Sequence, residues 1–296
     1  MSTLHEAELG GLPAAWRSAP APAGGEPPAA WRSADGPGGD EPPVLWIHGV
    51  PDSSELWEPF LARVGGIAPD LPGFGRSAKR GDLDYSIAGL ADWLERFVDH
   101  LGLERFSLVM HDWGVVGLAL AQRAPERIHR LVAIDTVPLL PGYRWHPIAR
   151  VWRAPLLGEA AMGLSVKPVA RRLLPPGRAD AVLAHFDPGT QRAILRLYRA
   201  SPPDVLAAAG AGLGAVTAPG LVLHGGADRY IPARFADGLA AALGNAEAEH
   251  VPGAGHWPWL DRPELIARVQ DFLHEGAGGG AAFPRNTGNK REESGA

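Results

Sequence analysis

The sequence predicts an α/β fold in which a mostly parallel, twisted sheet is covered by helices on both faces. Short apolar runs of strand length alternate along the chain with segments of helical periodicity, and this alternation is typical of βαβ units. One stretch, residues 139–213, breaks the rhythm because it is helical in pattern, rich in Arg, Trp and Pro, and without a convincing strand. We therefore expect an inserted helical cap over the carboxyl ends of the strands.

Each predicted element rests on its apolar pattern and on its flanking turn residues. The expected strands are residues 44–47, 66–68, 106–110, 131–134, 220–223 and 246–250. The expected helices are residues 87–101, 115–123, 233–243 and 263–274. The core is accordingly expected to comprise residues 41–138 and 214–275, on either side of the cap. With 296 residues, 46% of them hydrophobic, the chain is long enough to bury a substantial core.

The two ends of the chain have a different composition from the core. Within residues 1–40, the heptapeptide Pro-Ala-Ala-Trp-Arg-Ser-Ala occurs at 13–19 and again at 28–34, in a Pro/Gly-rich context. Two copies are too few for a solenoid, so we expect a local duplication in which one copy supplies a strand and turn and the other is looped out or disordered. Residues 276–296 are rich in Gly and polar residues and are expected to be disordered.

Composition and charge exclude several function classes. The chain has no cysteine, so neither disulfides nor thiolate metal sites can form. A formal net charge of -5, without a block of Lys and Arg, argues against a nucleic-acid partner. No apolar run is long enough to span a membrane, and the first residues do not resemble a signal peptide. We expect a cytoplasmic protein whose partner is a small molecule.

An aspartate stands at the turn between a predicted strand and a predicted helix. Asp112 directly follows the strand at 106–110, and a glycine-containing helix follows it. Aspartate at this place is often only a helix N-cap. However, ligands of open α/β folds bind at the carboxyl ends of the strands, and helix N–H groups there stabilise an anionic carboxylate. An ionised carboxylate in this position can act as a nucleophile.

Two further candidate catalytic residues, an aspartate and a histidine, follow later strands. Asp228 ends the segment Gly225-Gly-Ala-Asp after the strand at 220–223, although an aspartate in such a turn is commonplace. His256 lies in a glycine-rich loop after the strand at 246–250, and a lone histidine among eleven would carry little weight. The order of nucleophile, acid and histidine along the chain is that of α/β-hydrolase triads. The three contexts together predict a catalytic triad.

The chain from about residue 44 to 273 resembles the α/β-hydrolase superfamily, in particular its epoxide hydrolase and haloalkane dehalogenase branch. The motifs that carry the resemblance are His48-Gly-Val-Pro51, Asp70-Leu-Pro-Gly-Phe-Gly-Arg-Ser77, His111-Asp-Trp-Gly114, Gly225-Gly-Ala-Asp228 and Gly255-His-Trp257. The sequence departs from the usual G-x-S-x-G elbow at Met110 and Asp112. We interpret the second motif as a structural loop.

The resemblance implies an α/β-hydrolase fold and a mechanism in two steps. Asp112 would attack a saturated carbon and form an alkyl ester, and water activated by His256, with Asp228 orienting the ring, would hydrolyse that ester. The backbone N–H groups of Val50 and Trp113 would form the oxyanion hole. Asp135 is an alternative triad acid, since some members of this branch place the acid after the next strand. The expected substrate is small and apolar, with water as co-substrate, and no metal or organic cofactor is required.

For an epoxide, the resembling hydrolases use two cap tyrosines that donate hydrogen bonds to the ring oxygen. Tyr198 matches one of them. The other position is occupied by Trp152, so Tyr143 or His146 would have to supply the second donor. We favour epoxide hydrolysis on this basis.

For a halide, the resemblance implies N–H donors around the departing anion. Trp113 matches the first donor, and Trp145 or Trp152 could be the second indole, whereas Val50 stands where many dehalogenases carry asparagine. Haloalkane dehalogenation is therefore the alternative, and a non-catalytic ligand-binding relative is a third hypothesis.

Overall fold

The computed structural model describes residues 1–20, 42–164, 171, 174–175 and 177–275. Eight strands form one sheet in the order β1-β2-β4-β3-β5-β6-β7-β8. Strands β1 and β2 pair antiparallel to each other, β2 is also antiparallel to β4, and the remaining neighbours are parallel. The strands are β1 Thr3–Leu9, β2 Leu12–Ala19, β3 Val44–Ile47, β4 Gly66–Pro69, β5 Phe106–His111, β6 Ile128–Ile134, β7 Gly220–Gly225 and β8 Ala246–Val251. This confirms the predicted fold class and all six predicted strands.

Helices connect the parallel strands and form the segment above them. They are α1 Glu58–Val64, α2 Ile87–His100, α3 Val116–Arg123, α4 Pro147–Arg153, α5 Leu157–Leu164, α6 Ala179–His185, α7 Pro188–Ala200, α8 Pro203–Ala209, α9 Arg234–Leu243, α10 Pro258–Asp261 and α11 Leu265–Leu273. Short 3-10 helices span Ser54–Trp57, Asp112–Val115, Pro125–Arg127 and Leu213–Ala215. The four predicted helices are present as α2, α3, α9 and α11, with ends that shift by one or two residues. No helix in the described part of the chain is long and apolar enough to cross a bilayer.

The sheet is buried on both faces, as the strand sequences require. In β3, Leu45 and Ile47 pack into one hydrophobic cluster, whereas Val44 and Trp46 pack into the other. Alternate side chains of a strand point to opposite faces, so a strand buried on both sides must be apolar at every position. This is why β3 and β5 are continuous apolar runs rather than alternating ones.

The first copy of the duplicated heptapeptide forms most of β2, which pairs with β4 and joins the N-terminal hairpin to the sheet. The second copy, at 28–34, and the tail at 276–296 lie outside the described residues. Three of the strands and α-helices were not predicted. Strand β1 contains His5, Glu6 and Glu8 and is mostly exposed at the sheet edge. Helix α1 has only seven residues, and helix α10 has only four.

The five helices α4 to α8 lie between residues 139 and 213, and no strand occurs in the described part of that stretch. We refer to these five helices as the cap helices. Two contacts tie them to the loops at the carboxyl ends of the strands: Lys79 forms an ion pair with Asp187 at 2.8 Å, and the Thr190 hydroxyl donates to the Gly73 carbonyl at 2.9 Å. A cavity lies between these helices and the strand ends.

Candidate active site

Asp112 occupies a strained position at the end of β5. Its φ of 49° lies in the left-handed region, which costs a non-glycine residue about 1–2 kcal/mol and is typical of functional sites. The turn is possible because Gly114 packs against β3, where a Cβ would lie 2.3 Å from the Ile47 carbonyl oxygen. Gly117 in α3 likewise leaves room for the Met110 side chain. That space explains how the elbow accommodates methionine where a glycine is usual.

The Asp112 carboxylate is held by backbone donors of two different loops. The Val50 N–H donates to Asp112 Oδ2 at 2.9 Å, and the Trp113 backbone N–H also interacts with the carboxylate. These are the two groups that the resemblance implies for an oxyanion hole. Burial raises the pKa of Asp112 to about 6, against the opposing effects of His256 and the two N–H groups. The carboxylate is thus ionised at neutral pH.

His256 lies between two carboxylates. Its Nδ1 donates to Asp228 Oδ2 at 2.7 Å, and its Nε2 is 3.7 Å from Asp112 Oδ1. Asp228 is fixed in turn, since its Oδ1 accepts the Tyr230 N–H at 2.6 Å and the Ile231 N–H at 3.2 Å. The structure therefore brings together the three residues of the predicted triad.

The electrostatics of this group favour an imidazolium. Burial alone would lower the pKa of His256, but the hydrogen bond and charge of Asp228, followed by the charge of Asp112, raise the pKa to about 9. Burial likewise opposes ionisation of Asp228, yet the hydrogen bond and charge of His256 hold the pKa of Asp228 below its usual value. In the free protein, Asp112 and His256 form an ion pair at neutral pH.

His111, the residue before Asp112, holds the histidine loop against β5. Its Nε2 donates to the His256 carbonyl oxygen at 2.8 Å, and the two rings lie 4.7 Å apart. Burial and the neighbouring His256 keep the pKa of His111 well below the usual value. His111 is therefore neutral, and it positions the backbone of the histidine loop rather than its ring.

Asp135, the alternative triad acid, is placed differently. It follows β6, is buried, and also has a left-handed backbone with φ 43°. Its carboxyl group accepts the Gly225 N–H at 3.0 Å. The His256 ring donates its hydrogen bond to Asp228 instead, so the geometry favours Asp228 over Asp135 as the acid that orients the histidine.

A mostly apolar cavity of about 110 Å³ opens above Asp112 and His256. All the cap residues singled out from the sequence line it: Tyr143, Trp145, His146, Trp152 and Tyr198. Its size suits a substrate of a few carbon atoms. Tyr230 and Trp257 also line the cavity; sequence reasoning missed them, although both adjoin the Asp228 and His256 motifs.

Two cap residues, Trp145 and His146, differ in the donors that they can offer. The Trp145 indole N–H donates to the Ser201 carbonyl at 2.9 Å, which argues against Trp145 as the second indole donor to a halide and leaves Trp152 as the other predicted donor. His146 Nδ1 accepts the Ala149 N–H at 3.3 Å, and burial lowers the pKa of His146 to about 4. His146 is therefore neutral, with its proton on Nε2.

Tyr143 and Tyr198 in the cavity lining both remain protonated. Burial, and then the nearby charge of Asp112, raises the pKa of Tyr143 and of Tyr198 above the usual range. The Tyr143 hydroxyl makes only a long contact, 3.5 Å, with the Tyr230 carbonyl oxygen. Tyr143 therefore lines the same cavity as Tyr198, and its role as a second donor stays a prediction.

Trp113 lies directly behind the cavity wall. Its ring stacks on Trp145 with centroids 5.3 Å apart and meets Tyr198 edge-on at 5.0 Å. Its indole N–H is buried and has no partner with hydrogen-bond geometry in the described residues, although the Tyr198 hydroxyl interacts with this side chain. Since a buried donor without a partner costs about 1–3 kcal/mol, the site favours an acceptor beside Trp113.

A buried ion pair links the cap helices to the site. Asp52, directly after the His48-Gly-Val-Pro51 turn, pairs with Arg178 at the start of α6, and its other oxygen accepts the Trp257 indole N–H at 3.0 Å. One carboxylate thus joins the cap, the loop that carries Val50 and the loop that carries His256. No local sequence signal could reveal this contact, because the two partners are 126 residues apart.

The second family motif is structural, as expected. Asp70 accepts the Ser54 N–H at 2.7 Å and the Arg76 N–H at 2.9 Å, and the Ser77 hydroxyl accepts the Ala15 N–H at 3.0 Å. These bonds fix the loop after β4 to its neighbours, and its residues do not reach the cavity.

Comparison with known proteins decides the family. Residues 44–269 match the Alpha/beta hydrolase family. The chain belongs to this family. This α/β hydrolase is 31% identical over 220 residues to the 2-hydroxymuconate semialdehyde hydrolase of Pseudomonas putida, and the match covers 71% of this chain and 76% of that protein. It is 32% identical over 256 residues to a haloalkane dehalogenase of Mycolicibacterium paratuberculosis, and the match covers 78% of each chain.

Solved structures give the same picture. The crystal structure of the haloalkane dehalogenase DbeA from Bradyrhizobium elkani superimposes with a TM-score of 0.75 and 29% identity, covering 92% of this α/β hydrolase and 98% of the dehalogenase. Together with Asp112 at the elbow, these similarities place the protein in the dehalogenase and epoxide hydrolase branch. The protein is a hydrolase, which argues against the hypothesis of a non-catalytic ligand-binding relative.

Proposed function

We propose that this α/β hydrolase cleaves the carbon–halogen bond of small apolar haloalkanes, yielding an alcohol and a halide ion. The observation that carries the proposal is the similarity to haloalkane dehalogenases in both sequence and structure. It reverses the order of preference that the cap tyrosines suggested from sequence. The small apolar cavity that reaches Asp112 supports a substrate of this class.

In the first step, an ionised Asp112 oxygen attacks the carbon that bears the halogen. A C–O bond forms, the C–X bond breaks, and the halide leaves with the electron pair. Asp112 is well suited to this role because it is buried beside an apolar cavity and is ionised at neutral pH. The Trp113 indole N–H, which interacts with the Tyr198 hydroxyl and has no well-formed hydrogen bond within the described residues, would donate to the departing halide.

Ester formation changes the acidity of His256. The charge of Asp112 is one of the causes that raise the pKa of His256, and the ester carries no charge. Alkylation therefore lowers the pKa of His256, so that the ring can release its proton to solvent and act as a base in the second step. Asp228 keeps His256 Nε2 directed at the ester, and the attacking water transfers a proton to Nε2.

The attack of water on the ester carbonyl creates an oxyanion on Asp112. The Val50 N–H already lies 2.9 Å from Asp112 Oδ2, and one such donor is typically worth about 3 kcal/mol in the transition state. Collapse of the intermediate breaks the bond between the carbonyl carbon and the alkyl oxygen, and the His256 imidazolium gives its proton to that oxygen. The alcohol leaves, and Asp112 passes its remaining proton to His256, which restores the ion pair of the free protein.

Epoxide hydrolysis is the second candidate, and one observation favours it. Tyr143 and Tyr198 both line the cavity as protonated hydroxyl donors within the field of Asp112. Such a pair could donate to an epoxide oxygen while Asp112 attacks the ring carbon. The first step would then release no anion into solution, because the leaving oxygen stays attached to the substrate.

Substitution of the two types of donor separates the candidates. We expect wild-type protein to release bromide from 1-bromobutane. Trp113→Phe should reduce kcat/KM for this substrate about tenfold, which corresponds to the loss of one donor worth about 1.4 kcal/mol. Tyr198→Phe should change bromide release by less than about threefold. Bromide is measured by ion chromatography and diol from styrene oxide by gas chromatography. If the wild-type protein formed diol but released no bromide, and Tyr198→Phe abolished diol formation, the protein would be an epoxide hydrolase instead.

The pH dependence should follow the ionisation of Asp112. Because burial raises its pKa to about 6, we expect kcat/KM to be constant at neutral pH and to fall about tenfold per unit well below pH 6. Initial rates between pH 4.5 and 8.5 test this, with circular dichroism at each pH to verify that the fold is kept. A midpoint near pH 4 would show that Asp112 behaves as an ordinary solvated carboxylate.

A further inference from the structure

Asp135 is a second buried carboxyl group beside the acid that orients His256. Its side chain is fully buried, as is that of Asp228. One carboxyl oxygen of each residue and a ring nitrogen of His224 lie within 4.8 Å of one another. In the described part of the chain, neither carboxylate forms an ion pair with a Lys or Arg; the ring partners are His256 for Asp228 and His224, at 3.6 Å, for Asp135.

Backbone geometry singles out the same residue. Asp135 ends β6 with φ 43°, just as Asp112 ends the neighbouring strand β5 with φ 49°. Few non-glycine residues adopt this conformation, and its cost is usually tolerated at functional positions. Since Asp112 is the proposed nucleophile, the strain at Asp135 remains to be explained by a function of its own.

We propose that Asp135 is a positioning residue: a neutral carboxylic acid that donates a hydrogen bond to Asp228 and so holds the ionised Asp228 carboxylate toward His256. The proposal concerns the second step of the proposed hydrolysis and rests on it for its effect on catalysis. The proton stays on Asp135 throughout, so the step itself transfers nothing to or from this residue.

The other hydrogen bonds of Asp135 leave it able to donate to Asp228. The carboxyl group accepts the Gly225 N–H through its oxygens, at 3.0 Å and 3.2 Å, which leaves an O–H free to donate. Asp228 in turn is an acceptor for His256 Nδ1 and for two backbone N–H groups. His224 does not compete for Asp228, because its Nε2 donates to the Ile231 carbonyl at 2.9 Å.

Electrostatics require that one of the two acids be neutral. Two adjacent buried carboxylates cannot both ionise beside a single imidazolium without strong repulsion. Burial and the charge of Asp228 raise the pKa of Asp135 well above its usual value, whereas His256 and a hydrogen bond from Asp135 lower that of Asp228. The proton therefore belongs on Asp135.

A neutral Asp135 also matters for the base. A second negative charge behind His256 would stabilise the imidazolium after Asp112 has been alkylated, and the ring would then hold its proton when it must accept one from water. With Asp135 protonated, only one permanent charge, that of Asp228, lies behind the ring. Asp135 thus supplies orientation without adding charge.

The protonation state can be measured without any substrate. Infrared difference spectra of wild-type protein against Asp135→Asn at pH 7.5 should show the carbonyl band of a protonated carboxylic acid, shifted in deuterium oxide. Asparagine keeps the shape, the acceptor for Gly225 and a donor for Asp228, but cannot carry the acidic proton. Absence of the band from wild-type protein would overturn the proposal whether or not the protein hydrolyses haloalkanes.

Single-turnover kinetics with 1-bromobutane test the positioning role. We expect Asp135→Asn to keep both the bromide burst and the later ester hydrolysis within about threefold of wild type. Asp135→Ala should slow ester hydrolysis about tenfold and leave the burst unchanged, so that asparagine restores what alanine loses. An ester hydrolysis rate about 100-fold lower in Asp135→Asn would instead identify Asp135 as an ionised triad acid. An equal loss of both steps in Asp135→Ala would indicate a structural role alone.

Discussion

His256→Gln is expected to stop the reaction after one turnover and to leave an alkyl group on the protein. Glutamine cannot take a proton from water, whereas the attack of Asp112 on the substrate needs no base. General-base catalysis is worth about 10² to 10⁴ in rate, so steady-state turnover should fall about 10³-fold. Mixing the variant with excess 1-bromobutane should release one bromide per protein in a burst, and intact mass spectrometry should show the added butyl group.

The matched control is Asp112→Ala, which removes the nucleophile and leaves His256 and Asp228 in place. We expect neither a burst nor an adduct from this variant. Peptide mapping of the His256→Gln adduct should locate the butyl group on Asp112. An adduct on another residue, or rapid turnover by His256→Gln with no adduct, would contradict the ester mechanism.

The sequence was sufficient to predict how the three proposed catalytic residues meet. Parallel strands end at the same edge of a sheet, so residues that follow β5, β7 and β8 converge because these strands are close neighbours in one parallel sheet. The strands themselves were predictable because a strand buried on both faces must be apolar throughout. Strand β1 escaped prediction for the opposite reason, since an exposed edge strand with charged residues has no such pattern.

Contacts between distant segments could not be predicted in the same way. The pair of Asp52 with Arg178, and the bond from the Trp145 indole to the Ser201 carbonyl, depend on how the cap helices pack on the core. No periodicity or motif encodes such packing. The placement of Tyr143 in the cavity is a similar case, because it follows from the path of the chain after β6 rather than from a motif.

Gly49→Ala is expected to cost both activity and stability, because the nucleophile lies against this glycine. A Cβ at position 49 would lie 2.5 Å from Asp112 Cβ, 2.7 Å from its Oδ2 and 2.8 Å from the His111 carbonyl oxygen. The Asp112 Cβ and the His111 carbonyl oxygen cannot move easily, since they belong to the strained elbow. Overpacking of this kind costs about 1–3 kcal/mol, and displacement of the adjacent Val50 N–H from Asp112 should lower kcat about 100-fold.

The effect of Gly49→Ala should depend on contact rather than on the loss of a glycine. Gly163→Ala in α5 is the matched control, because apart from its own helix backbone no atom of the described residues would lie within 4 Å of a Cβ there, and alanine favours a helix. We expect this control to retain wild-type kcat and an equal or higher midpoint of thermal unfolding. If Gly49→Ala kept full activity, the Val50 N–H could not be held in place by close packing of this turn against Asp112, and the oxyanion hole would have to form by another route.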